Sequence, residues 1–271
     1  MNLQKIRQGY ILENYSTLDA TNRTCQDIIL SKISKSTLSQ HITVKGGVII
    51  SNISKDKRRV TKDLDLDFIR YSLDDDSIIN FISALNSVND GIMLEIIGSV
   101  ELLNHQEYQG KRVNITLSDE HGYTLQTKLD IGAHSKLDIR QVSYGFELTG
   151  IGENIELFAN TIEQMFTEKL ATLLKHGRFS TRYKDIFDFY YFITDVGLDK
   201  TFLLECFNEY IFQPSDMREN DVIDIQKRLR SIFSNNEFLS RANTAHNNWL
   251  DLPIDMVTDR ILDYFKNELI Y

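Results

Sequence analysis

The chain has 271 residues, with thirty Lys and Arg against thirty-nine Asp and Glu, a formal charge of −9 and 42% hydrophobic residues. That is the composition of an ordinary folded chain, long enough for one large core or two smaller ones. No apolar run reaches the roughly 18 residues of a membrane span, and the acidic balance argues against wholesale wrapping of nucleic acid while leaving a local basic patch open. The opening MNLQKIRQGYILENY has no apolar stretch of signal-peptide length, so a cytoplasmic protein is expected. Cys25 and Cys206, far apart, make neither a disulfide framework nor a Cys-type zinc site.

Apolar positions three and four apart predict helices over Gln4–Tyr15 and Asp19–Ile33. Lys-Gly-Gly at 45–47 precedes a short apolar run and reads as a turn opening a helix. The period then changes. In KDLDLDF, Leu64, Leu66 and Phe68 alternate with Asp63, Asp65 and Asp67, which predicts a strand with one apolar face and one face of carboxylates. A helix over Ser77–Val88 and strands over Ile92–Leu103, Lys111–Ser118 and Tyr123–Ile131 follow, the last with Gln126, Lys128 and Asp130 on its polar face. Beyond about residue 155 the reading is all helix: Leu157–Lys175, Ser180–Asp195, Lys200–Phe212, Asp221–Asn235 and Pro253–Leu269. Gly177 and Gly197 stand at expected C-terminal stops and Ser180 at an expected N-cap. The predicted fold class is α+β, with a mixed-sheet domain over 1–155 and a helical bundle over 156–271.

No GxxxxGK[ST], HExxH or GxSxG is present, and the six histidines show no ligand spacing. The chemistry-bearing feature is the pair Asp63 and Asp65. Side by side on one strand face they repel one another unless a cation lies between them, and hard oxygen donors of this kind suit Mg²⁺ that also holds phosphates. A solvated acidic edge strand is the alternative. Gly46 and Gly47 lack the side chains that would keep a phosphate from backbone N–H groups, although such a pair is also a common turn. Asp130 offers a third carboxylate on a neighbouring strand, giving a set suited to phosphoryl or nucleotidyl transfer.

KGG (45–47), RVTKDLDLDF (59–68), TKLDI (127–131), and EKLATLL followed by RYKDIFDFYYF resemble the AbiEii/AbiGii toxin family of the DNA polymerase β-like nucleotidyltransferases. The resemblance runs from Lys45 to Phe192 and implies a nucleotidyltransferase fold. By its pattern Gly46 and Gly47 line the triphosphate, Asp63 and Asp65 bind metal with Asp67 as an extra, and Asp130 is the third carboxylate, with Asp138 as its competitor. Lys169 neutralises phosphate charge, and Asp188 closes the site from the helical domain. Bland readings stand beside these: Lys169 as a solvated residue, Asp185 and Asp188 as ion-pair partners of Arg178, Arg182 or Lys184, and Phe187, Tyr190 and Tyr191 as core. Two departures, Gly-Gly where many relatives carry Gly-Ser and Lys184-Asp185 where many read Arg-Asp, leave base preference open.

The resemblance further implies Mg²⁺ or Mn²⁺, an NTP substrate, transfer of NMP to a tRNA 3′ end, a role as the toxin of a toxin–antitoxin or phage-defence pair with a cognate antitoxin protein, and no membrane association. Transfer to a protein or small molecule, or a nucleotide-binding toxin module without transfer, are the alternatives. If tRNA is the acceptor, Lys45, Arg58, Arg59, Lys62 and Lys128 are the cations expected to form a basic strip.

Overall fold

Side-chain caps fix where the first helices begin. In the computed structural model, which describes residues 1–103, 110–134 and 141–269, Asn2 accepts from the Lys5 N–H at 2.7 Å and opens α1 (Leu3–Leu12). Ser16 accepts from the Asp19 N–H at 3.1 Å and opens α2 (Thr17–Lys35). Each cap satisfies a donor that a helix start leaves without an intrahelical partner. Next come β1 (Ile42–Lys45), α3 (Gly47–Ser54), β2 (Leu64–Phe68) and α4 (Asp75–Asn86). Five strands follow: β3 (Ile92–Leu103), β4 (Gly110–Asp119), β5 (Thr124–Ala133), β6 (Val142–Leu148) and β7 (Glu153–Ala159).

The seven strands form one mixed sheet in the order β3-β4-β5-β2-β1-β7-β6. β2 runs parallel to β5 and β1 parallel to β7, and the remaining neighbours are antiparallel. Alternation in β2 buries Leu64, Leu66 and Phe68 completely or nearly so. α2 packs on β5 and β7, and α4 on β3. These elements make up one compact unit, Met1–Asn160.

The second unit, Thr161–Tyr271, is helical. It contains α5 (Ile162–His176), α6 (Lys184–Tyr191), α7 (Lys200–Phe207), α8 (Val222–Phe233), α9 (Asn236–Ala242) and α10 (Ile254–Asp263). α6, α7 and α10 each run on into one wide π turn. Its core is aromatic: Phe166 meets Phe189 at 4.9 Å between ring centroids, and Phe207 stacks on Phe265 at 6.1 Å. Phe187 is fully buried in this unit, whereas Tyr190 and Tyr191 are half-buried. No helix among the described residues is long and apolar enough to cross a membrane.

Three local expectations are corrected. Residues 157–159 belong to β7, and the helix starts only after Thr161, whose side chain accepts from the Gln164 N–H at 3.1 Å. The strands β6 and β7 escape a sequence reading because each buries only two side chains, Phe146 with Leu148 and Leu157 with Ala159. Ser180 is not an N-cap: a 3-10 turn over Gly177–Phe179 intervenes and α6 starts at Lys184 without a side-chain cap. Gly177 and Gly197 do stand at helix ends, with φ of 56° and 81°.

Asp27 on α2 ties this helix to the turn between β6 and β7. It accepts from the Tyr10 hydroxyl and from the Gly150 N–H, the latter at 2.9 Å. Burial pushes its carboxyl up to about 6, against the opposing charge of Arg23. The folded state therefore holds a proton there that the unfolded chain releases near pH 4. This group's contribution to stability falls as pH rises from about 4 to 6 and is level above that. Asp27→Asn should remove that slope, so the stability difference between variant and parent should move by about 3 kcal/mol across the window. Urea unfolding of both proteins at pH 4, 5, 6 and 7 measures it.

Candidate active site

The sheet register collects the charges. Lys45 on β1 lies opposite Asp65 on β2, Asp65 lies beside Asp130 on β5, and Asp130 lies opposite Arg112 on β4. Paired residues of adjacent strands share a face, so four strands present one row, Lys45–Asp65–Asp130–Arg112. Asp63 immediately precedes β2, and Asp67 is two residues beyond Asp65 on the same side.

Two of the carboxylates are held by cations. Lys45 Nζ lies 2.7 Å from Asp67 Oδ1, both side chains being buried. Arg112 grips Asp130 in a fork, Nε to Oδ1 and Nη2 to Oδ2, each at 2.7 Å. Those hydrogen bonds, opposed by partial burial and aided by the charges of Asp130 and Asp63, push the Arg112 guanidinium above its ordinary range.

Gly46 and Gly47 sit against this row. Gly46 has φ 73° and ψ −147°, a conformation that favours glycine, and a Cβ there would come within 2.3 Å of Asp65 Oδ2. A Cβ on Gly47 would meet the Thr61 side chain at 2.7 Å. α3 begins at Gly47 with no side-chain cap, so the backbone donors of its first turn start beside the Asp65 carboxylate. This combination of a helix N-terminus and acidic oxygens suits a phosphate accompanied by a cation. Gly46→Ala should lower stability by about 1–3 kcal/mol and displace Asp65, since a left-handed non-glycine residue is strained and the methyl has no room. Thermal melting and a transfer assay on the variant measure both effects.

α2 braces the turn from behind. Arg23 Nη1 donates to Ser51 Oγ on α3 at 3.2 Å, and Gln26 Nε2 donates to the Thr61 carbonyl at 3.1 Å. Both residues are at least nine-tenths buried. Neither they nor Arg112 stand out in the sequence, because their role depends on contacts between distant segments.

The helical unit has its own charged centre. Lys169 on α5 pairs with Asp185 and, at 3.1 Å, with Asp188, both on α6. Its side chain is 11% exposed and that of Asp188 is 0% exposed. Trp249 Nε1 donates to Asp188 Oδ1 at 3.1 Å. Lys169 is thus the hub of a buried cluster and not a solvated residue. Trp249, which carried no signal in the sequence, is the missed member.

The five cations expected in a basic strip differ in their surroundings. Lys45 is committed to Asp67, Arg59 is buried, and Arg58 pairs with Asp56 at 3.1 Å. Lys62 and Lys128 are exposed. Asp138 lies outside the described residues. Among the described residues no group of three His, Cys, Asp or Glu side chains is arranged to hold a metal. Asp63 and Asp65 are hard donors of the kind Mg²⁺ takes, whereas both Asp130 oxygens already accept from Arg112.

A family model described as the nucleotidyl transferase AbiEii toxin of a type IV toxin–antitoxin system matches residues 28–266. A search of curated proteins returns no match. The matched span contains the Gly46–Gly47 turn, the carboxylate row and the Lys169 cluster together, and the seven-stranded mixed sheet is consistent with a nucleotidyltransferase fold. The chain therefore belongs to the AbiEii family and is a nucleotidyltransferase toxin of the type IV toxin–antitoxin class.

Proposed function

We propose that the protein transfers NMP from an NTP to the hydroxyl at a tRNA 3′ end, with Mg²⁺ or Mn²⁺, in the cytoplasm, and that a cognate antitoxin protein restrains it. The observation that carries the reading is Asp65 in register with Asp130 and packed against Gly46, at the uncapped start of α3. In this reading the first-turn N–H groups of α3 hold triphosphate oxygens. Asp63 and Asp65 would hold the cation, which when bound offsets the charge gathering on the phosphates.

The acceptor oxygen bonds to the α-phosphorus, the bond from that phosphorus to the bridging oxygen breaks, and pyrophosphate leaves with the electron pair. The hydroxyl proton passes to Asp130, each of whose oxygens keeps a lone pair after binding Arg112. Arg112 fixes the direction of that carboxylate. Lys169 and Asp188 belong to the family pattern, and the reading requires both for transfer.

Radiolabelled NTP incubated with the protein and total cellular RNA and protein tests the acceptor. Label at RNA 3′ ends is the expected result. Label in protein or in a small molecule overturns the tRNA assignment, and label nowhere overturns transfer itself.

A further inference from the structure

The net charge of −9, the pairing of Lys45 and Arg58 with carboxylates and the burial of Arg59 raise the question of where an RNA would be held. The helical unit contains a concavity of about 310 Å³ between the end of α5 and the second half of α8. Its eight lining residues include His176, Arg178 and Arg228 and not one carboxylate. In a chain with more acids than bases, this lining is locally basic.

Phe179 stands on the rim and is 77% exposed, the most exposed large hydrophobic among the described residues. A single exposed ring is ordinary. Here, however, the Arg178 guanidinium lies 5.0 Å from the ring centroid, and among the described residues it has no hydrogen bond or ion pair. The pocket wall is built rather than accidental. Gly177 has φ 56°, and a Cβ on it would come within 2.7 Å of Arg228 Nη2. Its absence lets Arg228 lie against the end of α5 and donate to the Leu174 carbonyl at 3.4 Å. Ser231, Ser234 and Asn235 complete a polar wall able to meet base edges or sugar hydroxyls.

We propose that this pocket is a binding subsite for single-stranded RNA, in which an unpaired base stacks on Phe179 and the adjoining phosphates meet Arg178, His176 and Arg228. Every base offers a π face, and a guanidinium beside the platform adds charge to the stack, so such a subsite holds unpaired strands with little regard to sequence. A duplex end presents no unstacked base to the ring. The biological occupant rests on RNA being the acceptor, but the site is tested without catalysis.

The 271-residue chain is titrated, without NTP, against a fluorescein-labelled twelve-nucleotide single-stranded RNA, the same sequence as a duplex, and ATP alone. The expected order is single strand tighter than duplex. Phe179→Ala and Arg178→Ala should each weaken the single strand about tenfold, with ATP binding and melting temperature unchanged. Arg178→Ala should also flatten the salt dependence by the share of one phosphate contact, and Arg178→Lys should restore that slope. Parent-like RNA affinity in both alanine variants overturns the proposal while leaving the acceptor reading intact. Loss of ATP binding in the variants, with RNA affinity unchanged, assigns the pocket to a mononucleotide and also overturns it. A parent chain that labels RNA in the transfer assay yet binds the single strand no better than the duplex overturns it as well. If the parent neither binds nor labels RNA, the acceptor reading falls with it.

Discussion

Asp65→Asn is expected to lower nucleotidyl transfer by at least about a hundredfold while leaving the melting temperature equal to or slightly above that of the parent. The amide has the size of the carboxylate, so packing against Gly46 is preserved. The negative charge is lost from a row in which Asp65 lies beside Asp130, with Asp63 just before it in the chain. Removing this charge relieves repulsion from Asp63 and Asp130, which offsets the attraction it gives up to Lys45 opposite it, so stability should stay near that of the parent. Asp63→Asn should behave in the same way. Transfer assays paired with thermal melts separate loss of chemistry from loss of fold. A double variant with undiminished transfer would remove the carboxylate pair from the mechanism.

Lys169→Ala should be damaging in a different manner, unfolding more readily as well as losing transfer. It removes the ammonium that pairs with Asp185 and with Asp188, whose side chain is 0% exposed. Stripping one partner from a buried pair of this kind costs about 3–5 kcal/mol. A triple variant, Lys169→Met with Asp185→Asn and Asp188→Asn, should recover much of the lost stability, because the two carboxylates that the ammonium balanced are neutralised together with it. Transfer should stay absent in it. Recovery of transfer along with stability would show that Lys169 serves the fold only.

Much of the site could be read from the chain because its residues are close in sequence. The alternation of KDLDLDF gives β2 and the sidedness of its carboxylates, and the two glycines after Lys45 give the start of α3. What escaped depends on register between distant segments. Arg112 meets Asp130 because β4 and β5 pair antiparallel with those two opposite, a fact that no spacing encodes. Lys45 reaches Asp67 because β1 pairs antiparallel with β2 with Thr43 opposite that residue, so a lysine expected in a basic strip is engaged with a carboxylate. Trp249 and Asp188 are 61 positions apart and meet only when the helices pack. β6 and β7 bury too few side chains to give a firm period, and the π turns after α6, α7 and α10 carry no pattern distinct from a helix end. The family pattern supplied Lys169 and Asp188. The structure adds the cluster that holds them together.

The central claim is that this row of carboxylates serves transfer of a nucleotidyl group. Purified protein incubated with total RNA and either α-labelled or γ-labelled NTP, with Mg²⁺ present or chelated, tests it most directly when Asp65→Asn is run alongside. The account predicts acceptor labelled from the α position only, release of labelled pyrophosphate from the γ position, and neither product after chelation or in Asp65→Asn. Acceptor labelled from the γ position, or α label transferred undiminished by Asp65→Asn, would contradict it.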